Sequence, residues 1–236
     1  MILAATSTAT AQPAPHAEHE FFFTRAIYSG LSDLDDWGPR WAIDFPQAEQ
    51  HFLVALQRLT GIDAYALDNA IEISDQALRD YPFVYAVEVG AITLSEGERE
   101  ALRAYLLAGG FLVIDDFWGT WAWQHLEQAL AALLPEFAIR EVPLSHPIFH
   151  AFYDLDQIMQ VPNAAQAGTG KTHEFDGHTP HVRGIFDHSG RLMVLINWNT
   201  DLGDAWEWAD EPTYPLRYST FAFEFGVNIV IYSMTF

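Results

Sequence analysis

Two adjacent carboxylates are the strongest chemical signal in the sequence. Asp115 and Asp116 directly follow residues 111–114, an apolar run typical of a buried strand. Ligands of an open parallel sheet bind beyond the carboxyl ends of its strands. Carboxylates there must reach solvent, accept hydrogen bonds or bind a cation, because burying an unpaired charge is costly. We therefore predict a ligand site at this position, with one aspartate as general base or metal ligand and the other orienting it.

A structural role for the pair is the alternative. Asp116 would then cap the following helix or loop, and Asp115 would pair with an arginine. Arg25 and Tyr28 lie at the end of the first predicted strand and reach the same edge if that strand is parallel to the others. Arg25 would bind the aspartates or an anionic ligand group, unless it forms a structural ion pair. Trp118, close behind the pair, is assigned to the same ligand-binding set.

His146 completes the tentative catalytic set with the two aspartates. Pro147 moves His146 out of helical geometry, so we do not interpret His146 and His150 as a helical zinc pair. The other histidines of the second half have spacings that match no standard metal site, and solvated side chains explain them better. These are His173, His178, His181 and His188.

The segment 197–208 interleaves amides and carboxylates with tryptophans. This composition suits carbohydrate recognition, in which indole rings stack on sugars while amides and acids hydrogen-bond their hydroxyls. A long loop pinned by buried tryptophans is the alternative. The predicted ligand-binding residues of this segment are Asn197, Asn199, Asp201, Trp206 and Glu207.

Composition excludes several classes of protein. The chain has 236 residues, a formal net charge of −21, a single lysine and no cysteine. So negative a surface repels nucleic acid and anionic lipid, and the absence of cysteine excludes disulfides, thiolate metal sites and thiol nucleophiles. The sequence has no flavin or nucleotide signature, since no P-loop or G-x-G-x-x-G follows a strand. The identity of any metal stays open, although acidic side chains can attract divalent cations.

The amino terminus predicts export. Residues 1–11 are small and apolar, end in an A-x-A pattern and precede a proline-rich stretch, as in the tail of a secretory signal peptide. We expect residues 1–19 to be a signal remnant and disordered tail, residues 20–236 to form one domain, and the protein to be periplasmic or secreted. A disordered tail without export is the alternative. No other segment has the apolar length of a membrane span.

Local patterns predict an α/β domain with a mainly parallel sheet. A capping box at Ser95 and Glu98 starts a helix that stops at Gly109-Gly110, immediately before the apolar strand 111–114. A strand at 83–89 precedes this helix, so the order is that of a βαβ crossover. The further predicted elements are a strand 20–28, a helix 44–60, a strand 70–73, a helix 121–134, a strand 139–142, a hairpin of 184–187 with 191–197, and a helix 220–232.

Several landmarks in this order resemble a bacterial family, the domain of unknown function numbered 4159. The resemblance covers essentially everything after the tail. It implies a fold similar to class I glutamine amidotransferases, a flavodoxin-like three-layer α/β/α sandwich. On that analogy the turn after Ile114 lies where amidotransferases carry a nucleophilic cysteine, so this chain cannot hydrolyse glutamine by that route. The landmarks are Phe23-Thr24-Arg25 with Tyr28, Tyr81-Pro82-Phe83 with Tyr85, Leu102-Arg103 to Gly109-Gly110, Asp115-Asp116, His146-Pro147 and Phe225-Gly226-Val227-Asn228.

Three functions compete at this stage. The first is an exported protein that binds a small molecule, a saccharide or another component of the cell envelope. The second is a metal-assisted hydrolase that uses Asp115, Asp116 and His146. The third is a structural partner in an envelope complex. The sequence leaves open whether the protein is an enzyme.

Overall fold

A computed structural model describes residues 18–31 and 38–236. The predicted export segment, residues 1–11, lies outside the described part of the chain. The strands in chain order are β1 (Arg25–Ile27), β2 (Ser29–Gly30), β3 (Ala70–Glu72), β4 (Phe83–Val87), β5 (Ile92–Thr93), β6 (Phe111–Asp115), β7 (Ile139–Glu141), β8 (His181–Phe186) and β9 (Leu192–Trp198). The α-helices are α1 (Gln47–Thr60), α2 (Glu96–Leu107), α3 (Gly119–Leu133), α4 (Ala164–Ala167), α5 (Leu202–Glu207) and α6 (Leu216–Thr235).

Seven strands form the central sheet, in the order β3-β1-β4-β6-β9-β8-β7. The first five are parallel, and β8 is antiparallel to both of its neighbours. Counted along the chain, the five parallel strands run 2-1-3-4-5, the flavodoxin-like order, in which the strand order reverses between β1 and β4. The carboxyl ends of β1, β4, β6 and β9 therefore meet at one edge, which we call the carboxyl edge.

Each face of the sheet carries its own hydrophobic core. One core contains buried side chains of α1, α5 and α6, among them Phe52, Trp206 and Phe225. The other contains those of α2 and α3, among them Leu106 and Leu126. Both faces of β4 and β6 are thus covered, which explains their continuous apolar sequences. The predicted three-layer α/β/α sandwich is confirmed.

The local sequence signals set most element boundaries. Ser95 and Glu98 form both hydrogen bonds of the capping box at the start of α2. Gly61 ends α1 with a left-handed backbone, φ 77°, a conformation that glycine adopts without strain. The predicted hairpin is present as β8 and β9, and the predicted carboxyl-terminal helix is present as α6.

Two predicted elements are shorter than expected. The strand predicted for 20–28 contains only β1, because Phe21 makes a single isolated bridge to Ala64. The helix predicted from Asp44 begins at Gln47, since Asp44 has a left-handed backbone with φ 62°. Asp44 is therefore in the loop that joins β1 to α1. Among the described residues, none of the helices is long and apolar enough to cross a membrane.

Candidate functional site

The side chain of Asp115 lies inside the protein and is held by neighbouring groups. It is fully buried, and it accepts hydrogen bonds from Tyr85 Oη at 2.6 Å and from the Leu202 backbone N–H at 2.9 Å. Burial raises the pKa of Asp115 to about 6, although these hydrogen bonds oppose the rise. Asp115 thus ties the end of β6 to β4 and to the first residue of α5.

Asp116 has the opposite surroundings. It lines a cavity of 320 Å³ at the carboxyl edge, and its backbone is left-handed, with φ 48°. Its carbonyl accepts a hydrogen bond from the Glu88 N–H at 2.9 Å, and its Oδ1 accepts one from Trp118 Nε1 at 3.0 Å. The two adjacent acids therefore have different roles. Asp115 connects elements of the fold, and Asp116 lines the cavity.

Four more acids converge with Asp116 on this cavity. Asp44, Asp116 and Asp201 each have a carboxylate oxygen within 4.8 Å of the other two, and the same holds for Asp44, Asp204 and Glu207. All five line the cavity. We call these five residues the carboxylate cluster: Asp44, Asp116, Asp201, Asp204 and Glu207.

The topology explains why acids so distant in sequence meet. Asp44 lies in the segment that runs from β1 through the short β2 to α1, Asp116 follows β6, and the other three follow β9. All are therefore carried by segments that leave the carboxyl ends of parallel strands. Asp201 is the N-cap of α5 and accepts a hydrogen bond from the Asp204 N–H at 2.8 Å. This cap fixes both residues on the first turn of α5.

The electrostatics of the cluster are unfavourable without a counter-charge. Burial is the largest cause that raises the pKa of Asp44, Asp116 and Asp201 well above its ordinary value, and neighbouring carboxylates raise it further. Burial also raises the pKa of Asp204 and of Glu207. Asp44 Oδ2 is buried without a hydrogen-bond partner among the described residues.

Arg25 lies behind the cluster and is engaged elsewhere. Its side chain is fully buried, with Nη2 at 2.5 Å and Nε at 2.6 Å from Glu49 Oε1. Its Nη1 donates to the carbonyls of Trp41 and Ile43, at 3.3 and 3.2 Å. Arg25 therefore holds the loop that carries Asp44. Tyr28 is also buried and donates from Oη to the Val87 carbonyl at 2.6 Å.

The predicted segment 197–208 contributes acids to the site, while its amides and Trp206 have other surroundings. Asn197 is fully buried in β9. Asn199 accepts from the Gly119 N–H at 2.9 Å and donates to the Thr179 carbonyl at 2.8 Å, so it joins the loops around α3. Trp206 is only 2% exposed. Its ring packs on Phe52, with centroids 4.7 Å apart, and its faces are closed to a sugar.

His146 lies away from the aspartates. Its ring contacts Phe186 and Tyr232, with centroid distances of 5.6 and 5.4 Å. Phe186 pairs with Leu192, the first residue of β9, so His146 is at the edge opposite the carboxyl edge. Burial lowers its pKa. Among the described residues, the groups of three or more side chains able to hold a metal contain only carboxylates.

A second, larger cavity adjoins the cluster. Its volume is 460 Å³, and its walls include Trp118, Trp121 and Phe175. Glu88 and Glu174 line both cavities, so the two share a wall. We call this larger space the aromatic cavity. Of the residues predicted from the sequence, Trp118 is the one that lines it.

The family comparison agrees with the landmarks in the sequence. A family model described as a domain of unknown function, DUF4159, matches residues 23–234. The chain belongs to this family. A search of curated proteins with this chain finds no match. The matched range of the DUF4159 domain contains every residue of the carboxylate cluster and of the aromatic cavity.

Sequence reasoning missed two residues of the cluster in this DUF4159 domain. Asp44 was assigned to the start of a helix, and Asp204 was not distinguished from the other acids around it. A usable signal exists for both, since each is an acid in a segment that follows a parallel strand at its carboxyl end. Asp116, Asp201 and Glu207 were predicted, and the structure brings them together.

Proposed function

We propose that this DUF4159 domain binds a divalent cation at the carboxylate cluster and uses it to hold an oxygen-bearing small molecule at the carboxyl edge. One observation carries the proposal: two sets of three carboxylate oxygens, each set within 4.8 Å, share Asp44. Three oxygens bound to one Ca²⁺ at ~2.4 Å lie at most ~4.8 Å apart. The spacing therefore fits direct coordination.

The buried charge supports a cation independently of the spacing. Carboxylates this close cannot all ionise in a buried site unless a counter-charge compensates them. The buried Arg25 is already paired with Glu49, and its charge offsets only part of the rise in the pKa of Asp44. Asp44 Oδ2, buried without a partner among the described residues, is the atom that a cation would satisfy. Without one, the cluster must hold protons instead.

The donor atoms favour a hard cation. The cluster offers only carboxylate oxygens, which suit Ca²⁺, Mg²⁺ or Mn²⁺ rather than the softer metals that select imidazole or thiolate. A cation with an open coordination position can bind hydroxyl or carbonyl oxygens of a ligand, which fits the small-molecule function predicted from the sequence.

Metal-assisted hydrolysis is a second candidate. Asp44 belongs to both oxygen sets, so the cluster could hold two neighbouring cations, which would supply an activated water when bound. Glu174 borders both cavities, and burial raises its pKa, so it is suited to proton transfer. His146 was assigned from the sequence to the catalytic set of the hydrolase. Because His146 lies at the edge opposite the carboxyl edge, the hydrolase proposed here does not use it.

Calorimetric titration tests the proposed function. Ca²⁺ and Mg²⁺ are titrated into chelator-treated protein at pH 7.5, and we expect saturable binding that the double variant Asp116→Asn/Asp201→Asn loses. The matched control, Asp156→Asn/Glu127→Gln, removes two exposed acids outside both cavities and should bind as the unmodified protein does. Folded protein without any cation binding would overturn the proposal and favour a structural partner role.

We also propose the finer structural and cellular assignments. The 2-1-3-4-5 strand order supports a likeness to class I glutamine amidotransferases, and the absence of cysteine separates the chain from their thiol chemistry. The signal-like residues 1–11 support a periplasmic or secreted location. Signal-peptide cleavage, mapped by amino-terminal sequencing of the protein expressed with these residues, tests the second assignment.

A further inference from the structure

The aromatic cavity presents large apolar rings to the outside. Trp121 and Phe175 are 64% and 78% exposed, and both line this cavity. His125 stacks near one face of Trp121, with centroids 5.7 Å apart and planes at 15°. The other rings of the wall, Phe117 and Trp118, are buried. Its volume of 460 Å³ is in the range of ~300–1,000 Å³ typical of small-molecule sites.

The charges around these rings restrict the ligand. Glu88, Glu174 and Asp176 line the cavity together with Arg40. Arg40 and Glu88 are 3.5 Å apart, so the positive charge is largely compensated and the wall is negative. Such a wall disfavours phosphates and carboxylates. The negative wall by itself would attract an organic cation. A divalent ion in the adjoining carboxylate cluster would repel such a ligand.

The floor of the cavity leads to the carboxylate cluster. Trp118 Nε1 donates to Asp116 Oδ1 at 3.0 Å, and Asp176 accepts from the Thr120 N–H at 2.8 Å at the start of α3. Glu88 and Glu174 form the shared wall. A molecule seated against the rings can therefore extend its polar edge toward the cluster.

We propose that the aromatic cavity binds a neutral carbohydrate ring, which places its C–H face on Trp121 and Phe175 and directs its hydroxyls toward the cation. A sugar ring combines an apolar face with a polar edge, as the rings and carboxylates of the two adjoining cavities require. Paired hydroxyls are also oxygen ligands of the kind Ca²⁺ accepts. This inference rests on the proposed cation site, and it assigns the ligand class and the residues that recognise it.

A glycan array tests the inference. The Ca²⁺-loaded protein is applied to an array of neutral and acidic oligosaccharides, and the best neutral ligand is then titrated in solution. We expect binding to neutral glycans that EDTA abolishes and that Trp121→Ala weakens about tenfold or more. Phe175→Ala should also weaken binding. Phe152→Ala, which removes an exposed ring outside both cavities, is the matched control and should bind normally.

Cation binding is measured by calorimetry on the same preparations, so that the two proposals can fail separately. If Ca²⁺ binds but no neutral glycan does, the carbohydrate inference is overturned and the cation site stands. The same conclusion follows if only acidic glycans bind, or if Trp121→Ala leaves glycan affinity unchanged. If Ca²⁺ itself does not bind, the cation site fails first. Because Trp121 and Phe175 are exposed, both variants should fold, which circular dichroism verifies.

Discussion

Two groups of buried ionisable side chains lie side by side at the carboxyl edge, and they differ in the charge of their nearest neighbours. In the first, which we call the buried anchor, Asp115 accepts from Tyr85, Arg25 lies 5.0 Å above the Tyr85 ring, and Glu49 pairs with Arg25. In the second, the carboxylate cluster, acids face other acids. The anchor joins β1, β4, β6, α1 and α5, whereas the cluster lines a cavity.

The difference separates structural from ligand-binding charge. Burial raises the pKa of Asp115 only to about 6, because its hydrogen bonds oppose the rise. For Asp116, the next residue, neighbouring carboxylates add to burial as causes that raise its pKa. A buried charge with partners stabilises a fold; a buried charge among like charges needs a ligand or a proton. Neighbours in sequence can thus belong to different functions.

The largest expected effect is the loss of unfolding free energy when the ion pair of the buried anchor is broken. Arg25→Met leaves Glu49 buried without its partner and should lower the free energy of unfolding by about 3–5 kcal/mol, measured by urea denaturation. Arg25→Met/Glu49→Leu removes both charges and should recover most of that loss. A loss below ~1 kcal/mol in the single variant would show that the ion pair does not stabilise the fold.

The next largest expected effect is the stabilisation of the protein by a cation bound at the carboxylate cluster. Cation at about 100 times its Kd should stabilise the protein by about 2.7 kcal/mol, seen as a higher melting temperature. Asp116→Asn/Asp201→Asn should abolish this gain and raise the stability of the cation-free protein, because it removes buried repulsion. An equal gain in the double variant would place any bound cation elsewhere.

Tyr85→Phe sharpens the comparison with a smaller change. It removes the hydroxyl that donates to Asp115, and we expect a loss of about 1.5 kcal/mol in unfolding free energy with unchanged cation affinity. Denaturation and calorimetric titration on one preparation provide both values. A loss of cation affinity without a loss of stability would place Tyr85 and Asp115 in the binding site.

The pH dependence is the smallest expected effect. The raised pKa values of Asp44, Asp116 and Asp201 mean that the folded state binds protons more tightly than the unfolded state. The contribution of these three groups to the stability of the cation-free protein is therefore fully present below the ordinary value of 3.8 and falls as pH rises toward their folded pKa values. From pH 5 to 8 we expect a loss of at least ~1 kcal/mol, which saturating Ca²⁺ removes. A cation-free protein that becomes more stable over this range would contradict the assignment.

Local signals predicted the fold well and the site only in part. The Ser95–Glu98 capping box and the apolar run of β6 are decided by neighbouring residues, so the sequence contains them. The cluster depends on where three separate segments converge. A position after a parallel strand marks each acid as a candidate but does not show which candidates meet, and Asp44 was therefore missed. His146 and Trp206 were placed near a ligand because sequence shows neither the edge nor the face on which a side chain lies.

Anomalous diffraction from crystals soaked in Mn²⁺ tests the cation site most directly. The account predicts a strong anomalous peak between Asp44, Asp116 and Asp201, and none beside Asp115. Empty density within the cluster at saturating Mn²⁺, or a peak only at surface carboxylates, would contradict it.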